Sequence, residues 1–236
     1  MHDSIRFTEF PVVGLSTKVR TNWNAGIEEI SFSGEVQNYC VCFIDIIGST
    51  KISSDLTPTE LSRYYEIFLN AIALIARNFG AKIVKNAGDA LIIYFNDTSD
   101  PKNITKFKNV LDCGLTMGLA NNTLNAKMLS EKLPPIQYRI SADYGKVSVA
   151  RSASSQSEDL FGSAMNISAK INSKAKPNGL VIGETLFDVV KGLDEYVFVP
   201  SSEILIGVKG EYGVYHVDQK EKRSVINPFE RRAVNY

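Results

Sequence analysis

The sequence predicts an α+β domain in which a layer of helices packs on a largely antiparallel sheet. Apolar runs rich in β-branched and aromatic residues, at Cys40–Ile47, Ala81–Val84 and Ala90–Phe95, read as strands, the last two joined through Asn86-Ala87-Gly88 as a hairpin. Between them Leu61, Tyr65, Phe68, Ile72, Ile75 and Phe79 recur at alternating spacings of four and three, which is one apolar helix face. The whole order, β-α-(α)-β-β-α-β-β-α-β, is that of helices layered on one sheet.

Each element has a local cause. The first strand ends at Gly48-Ser49-Thr50, small residues that suit a turn into a helix. Thr57 and Glu60 form a capping box, Pro58 fits the first helical position, and Gly80 stops that helix. After a loop at Asn96–Pro101, the residues Ile104, Phe107, Leu111, Leu115 and Leu119 mark a second long helix in a region closed by Pro134-Pro135. Ile136–Tyr144 and Gly145–Ala150 read as a second hairpin, Ser152–Ser157 as a surface loop, and Gly162–Lys174 as a helix with Ile167 and Ile171 on one face. Gly179–Ile182 is a short strand and Glu184–Val190 a short helix; Tyr196–Val199, Ile204–Val208 and Gly213–Val217 are later strands.

Composition bounds the rest. A chain of 236 residues with 44% hydrophobic and 22% charged residues suits one domain, at 36–218, between an N-terminal extension (1–35, with Trp23 as its anchor) and a charged tail (219–236). Formal net charge is zero, so no general attraction to nucleic acid or to an anionic membrane is expected. No apolar run approaches the roughly 18 residues of a span, and Met1-His2-Asp3 begins no signal peptide, so the chain is expected to be cytoplasmic. Cys40, Cys42 and Cys113 read as buried, reduced thiols. Nothing pairs with His2 or His216 to make a catalyst.

The chemistry is written around Asp45, the one carboxylate in the first apolar run. An unpaired carboxylate in a buried strand is costly, and a metal ion is the obvious compensation. The Gly48-Ser49-Thr50 turn offers bare backbone N–H groups to phosphate. Asp89 begins the second strand of the hairpin beside Gly88. Two aspartates on neighbouring strand ends beside a glycine turn describe a two-metal site for phosphoryl chemistry.

Five stretches in order, FIDIIGST at 43–50, VKNAGDALIIYF at 84–95, RISADYGKV at 139–147, EDLFGSAMNISAKI at 158–171 and GVKGEYGVYHV at 207–217, make the chain resemble the catalytic domain of the class III adenylyl/guanylyl cyclases over about residues 37–217. The resemblance implies a ferredoxin-like, palm-type core, a head-to-tail homodimer, and two Mg²⁺ or Mn²⁺ ions per site. It assigns Asp45, Asp89 and the Ile46 carbonyl to metal binding. Backbone amides of Gly48, Ser49 and Thr50, with Arg139 and Lys209, fall to the triphosphate. Lys85 and Asp159 fall to the base, and Asn166 to the ribose near the transition state. At the position where the family usually has arginine stands Lys170, a point charge in place of a planar fork. On a helix Asn166 and Lys170 are i and i+4 and share a face.

Lysine only donates and ionised aspartate only accepts, which complements N1 and N6 of adenine and opposes guanine. ATP is therefore the favoured substrate. Cytosine shows the same acceptor–donor pattern, so a pyrimidine cyclase of anti-phage defence stays open, as does a non-catalytic ATP sensor motivated by Lys170. A diguanylate cyclase lacks its signature, because the matching turn reads NAGDAL.

Overall fold

The strand expected at Cys40–Ile47 is, as far as Ile46, the C-terminal end of a much longer one. The computed structural model describes residues 9–10, 19–20, 30–152, 158–202, 205–206 and 211–220. Within these, β1 (Glu9–Phe10) and β2 (Val19–Arg20) make a small separate pair, and β3 (Ile30–Ile46) runs for 17 residues. Next come α1 (Ser49–Asp55), α2 (Pro58–Asn78), β4 (Lys82–Ala87), β5 (Ala90–Phe95), α3 (Ile104–Leu119) and α4 (Asn121–Ser130). They are followed by β6 (Tyr138–Ser152), β7 (Glu158–Gly162), α5 (Ser163–Ile171), β8 (Leu180–Gly183), α6 (Glu184–Val190) and β9 (Tyr196–Pro200). A two-residue pair, β10 (Leu205–Ile206) and β11 (Glu211–Tyr212), precedes β12 (Val214–Gln219). Trp23, most of the Ser152–Ser157 loop, Lys209 and the tail from 221 on lie outside the described residues.

The main sheet has the order β4-β5-β3-β6-β8-β12-β9, with β7 on β6. Every neighbouring pair is antiparallel except β6 and β8. The expectation of helices on a mainly antiparallel sheet therefore holds.

Strand alternation divides the chemistry. On one face Cys40, Cys42, Ile44 and Ile46 of β3 join Tyr138, Ile140 and Ala142 of β6 beneath α2 and α3, whose Tyr64, Phe68, Ile72, Phe107 and Leu111 complete the main core. On the other face lie Val41, Phe43 and Asp45, paired with Asp143, Ser141 and Arg139. That side is only partly covered, chiefly by α5. The three cysteines are free and buried, and burial raises the thiols of Cys40 and Cys42 well above the usual range.

Three local readings are corrected. Ile136–Tyr144 and Gly145–Ala150 are not a hairpin but one continuous β6, paired with β3 on both sides of Gly145. Gly145 marks a close approach instead of a turn: a Cβ there would stand 3.1 Å from Ser163 Oγ at the start of α5. The region after Leu119 holds a further helix, α4, fastened by Asn121 Nδ2 and Asn125 Nδ2 donating to the Ile136 carbonyl at 2.8 and 3.2 Å. Glu158–Gly162, read only as a motif, is a strand pairing with Val147–Arg151. Among the described residues no helix is long and apolar enough to cross a membrane.

Candidate active site

Asp45 is the penultimate residue of β3. It faces Ala90 of β5 on one side and Arg139 of β6 on the other. Asp89 directly precedes Ala90, so the β4–β5 turn, with Gly88 at φ 66, delivers a second carboxylate to the flank of the first. The Asp45 carboxyl is pushed above the ordinary carboxylate range, first by burial and then by the charge of Asp89, while Arg139 opposes the shift. The charge of Asp89 therefore bears on Asp45, and Arg139 does not cancel the combined effect on it. An excess of negative charge on hard oxygen donors is what a divalent cation relieves.

Beside this pair the chain leaves β3 through Ile47, whose N–H donates to the Gln137 carbonyl at 2.9 Å. The Ile46 side chain is buried in the main core, so only its main chain is available to a ligand. Gly48 takes a left-handed φ of 73, which glycine adopts without strain, and α1 starts there. Its carbonyl accepts from Lys51 N–H at 3.0 Å and Ile52 N–H at 3.1 Å, which closes the first turn. The N–H groups of Ser49 and Thr50 lie in the part of a helix that has no internal acceptor. Arg139 is steadied by its Nε donating to the Ala175 carbonyl at 3.1 Å.

The elements that carry a second group of predicted residues meet elsewhere along the sheet. Val84, Leu160 and Ala164 pack in one apolar cluster with Val41, Ile92 and Val147. Val84 precedes Lys85, Leu160 follows Asp159, and Ala164 lies two residues before Asn166, so the elements carrying those three residues converge. Lys85 has its backbone opposite Ile92 at a β4 irregularity, and its side chain lies outside what is described. Asp159 is partly buried on β7, opposite Ala150. Asn166 and Lys170 are both exposed on α5, whereas Ala164, Ile167, Ser168 and Ile171 are buried. The expected shared face is thus real, and it looks away from the sheet that carries Asp45.

Sequence reasoning passed over Asp143, which is 1% exposed. Its Oδ2 accepts from Tyr212 O–H at 2.8 Å and its Oδ1 from Leu186 N–H at 3.3 Å, so it ties β11 and the start of α6 to β6. A Cβ at Gly183 would sit 2.6 Å from Asp143 Oδ1, so the carboxylate reaches α6 only past a glycine. Burial, only partly offset by these hydrogen bonds, pushes Asp143 from 3.8 up to about 6. A carboxyl raised in the folded state stabilises most below its unfolded value, and that stability is lost as pH rises through the folded value. Wild-type protein should therefore lose stability between about pH 4 and 6 that an Asp143→Asn variant keeps. Melting both across that range checks this; parallel curves would contradict it.

Known proteins with related sequences and folds point one way. A cytidylate cyclase from Staphylococcus aureus is 25% identical over 207 residues, covering 86% of this chain and 46% of that protein. The soluble guanylate cyclase gcy-31 from Caenorhabditis elegans is 24% identical over 170 residues, covering 70% of this chain and 24% of that protein. The chain thus spans less than half the length of either of these relatives. The crystal structure of the adenylyl cyclase CyaB from P. aeruginosa superposes with a TM-score of 0.71 at 19% identity, over 80% of this chain and 97% of that one, a likeness of fold. The family model of the adenylate and guanylate cyclase catalytic domain matches residues 32–219. By that match over most of its length, the chain belongs to the adenylate and guanylate cyclase catalytic domain family.

Proposed function

We propose that the protein is a nucleotidyl cyclase converting a nucleoside triphosphate, ATP by preference, into the 3′,5′-cyclic monophosphate and pyrophosphate at the interface of a homodimer. The observation that carries this reading is the coupled pair Asp45 and Asp89 on adjoining strand ends, opposite Arg139. The donor set fits small hard cations. Among the described residues no cluster of three or more His, Cys, Asp or Glu exists, and Mg²⁺ or Mn²⁺ needs only one or two carboxylates when substrate phosphates and water complete its shell. Two such ions, bound with the nucleotide to Asp45, Asp89 and the Ile46 carbonyl, would supply acidification of the 3′-hydroxyl and neutralisation of the triphosphate.

The protein's own residues do the rest. Backbone N–H groups at Gly48, Ser49 and Thr50, with Arg139 and Lys209, hold the terminal phosphates in line. Asn166 orients the ribose so that O3′ forms its bond to the α-phosphorus. The bond from that phosphorus to the bridging oxygen breaks, its electron pair leaves with pyrophosphate, and the 3′ proton passes to water. Lys170 places positive charge where it grows on the α-phosphoryl oxygens. In the head-to-tail homodimer that the family resemblance implies, one chain's α5, on which Asn166 and Lys170 are exposed, serves the nucleotide held by its partner's Asp45 and Asp89.

That division gives a direct test. Chains carrying Asp45→Ala and chains carrying Asn166→Ala should each be inactive as homodimers. Mixed, they should regain about a quarter of wild-type turnover, since half the dimers are mixed and each has one intact site. Persistent inactivity of the mixture would refute the two-chain site.

A second reading, cyclisation of CTP, is favoured by the staphylococcal relative, a cytidylate cyclase. Both substrates share the acceptor–donor edge that Lys85 and Asp159 complement.

A further inference from the structure

The side of α5 opposite Asn166 and Lys170 is fastened to the sheet by a chain of buried polar groups. Asn172, 5% exposed, follows the last residue of the helix. Its Nδ2 donates to the carbonyls of Phe43 at 3.1 Å and Arg139 at 3.2 Å, and to Ser141 Oγ at 3.1 Å. The Ser141 hydroxyl donates to the Ser168 carbonyl at 2.7 Å, and the Ser168 hydroxyl to the Val41 carbonyl at 2.7 Å. Both serines are fully buried.

Buried polar groups cost free energy unless each is paired, and apolar side chains would fill this space without that risk. What the polar groups add is direction. α5 has nine residues and grips the sheet through little more than Ala164, Ile167 and Ile171. Apolar contact of that size does not fix the rotation or slide of a short helix, because it is non-directional. Hydrogen bonds to carbonyls of β3 and β6 do fix it.

We propose that Asn172, assisted by Ser168, is a positioning residue that sets the register of α5 on the sheet and so presents Asn166 and Lys170 to the nucleotide. The inference rests on the reading that those two residues act on the nucleotide held by the partner's aspartates. An error of about 1 Å in such a group costs up to roughly 10²-fold in rate, and the loss falls on turnover.

The experiment uses full-length chains with two different tags, one carrying Asp45→Ala and the other Asn166→Ala, purified as the mixed dimer. Its one intact site takes α5 from the Asp45→Ala chain. Asn172→Ala placed in that chain should lower kcat at least about tenfold, with KM changed by no more than about twofold. The same substitution in the Asn166→Ala chain, whose α5 serves the dead site, should leave kcat within about twofold. Ser168→Ala, a milder change for use if the Asn172 variant does not fold, should show the same asymmetry at about threefold. Equal losses from both placements would make the residue one of general stability and overturn the inference, as would no loss from either. A mixed dimer inactive before Asn172 is touched would overturn the two-chain site, and the inference with it.

Discussion

Asp45→Asn should abolish cyclisation, by at least about 10³-fold, and yet raise the melting temperature of the metal-free protein by a few degrees at pH 8. The two effects have one cause. Asp45 sits partly buried beside Asp89, and both burial and that neighbour disfavour its charge. A carboxyl raised in the fold contributes stability below its unfolded value of 3.8 and loses it as pH rises through the folded value. At pH 8 the ionised side chain therefore works against folding, and an amide of the same shape removes that cost. The gap between the two melting temperatures should narrow as pH falls toward the unfolded value of 3.8. Added Mn²⁺ should stabilise the wild type by linkage and leave the variant unmoved. A variant that retained a tenth of wild-type turnover, or melted below wild type without metal at pH 8, would contradict this account of Asp45.

Base selectivity is the second large effect. On the proposed base roles of Lys85 as donor and Asp159 as acceptor, ATP and CTP should be cyclised at least about 10²-fold faster, in kcat/KM, than GTP and UTP. Guanine and uracil carry a donor N–H where adenine and cytosine carry an acceptor nitrogen, and an acceptor oxygen in place of the exocyclic amine. Either would leave a charged side chain facing a group of its own kind, the situation that gives large discrimination. Kinetics with each of the four triphosphates and Mn²⁺ measure it. A preference for GTP or UTP would remove Lys85 and Asp159 from the base pocket.

The aspartate pair was legible because a lone carboxylate stands out in an apolar strand and a glycine turn announces the next one. The long helix was legible for a similar reason: its start is written in local chemistry, and the capping box forms with Thr57 N–H donating to Glu60 Oε2 at 2.9 Å. What escaped the sequence depends on distant partners. β6 looked broken at Gly145 because a glycine between two apolar runs reads as a turn, whereas this glycine makes room for Ser163 at the start of α5, which lies farther along the chain. β7 is five residues with an acidic start, and only its pairing with β6 makes it a strand. α4 has little apolar periodicity and is held by Leu124, Met128 and two asparagine amides against Ile136. Asn172 itself sits where a helix end ordinarily meets solvent, so neither its position nor its residue type signals a buried joint.

The most direct measurement is the identity of the product. Full-length protein incubated with Mn²⁺ and the four nucleoside triphosphates should yield a 3′,5′-cyclic monophosphate of adenine or cytosine with one pyrophosphate released per turnover, read by mass spectrometry. Linear mono- or diphosphates with orthophosphate, or no conversion of any triphosphate, would contradict it.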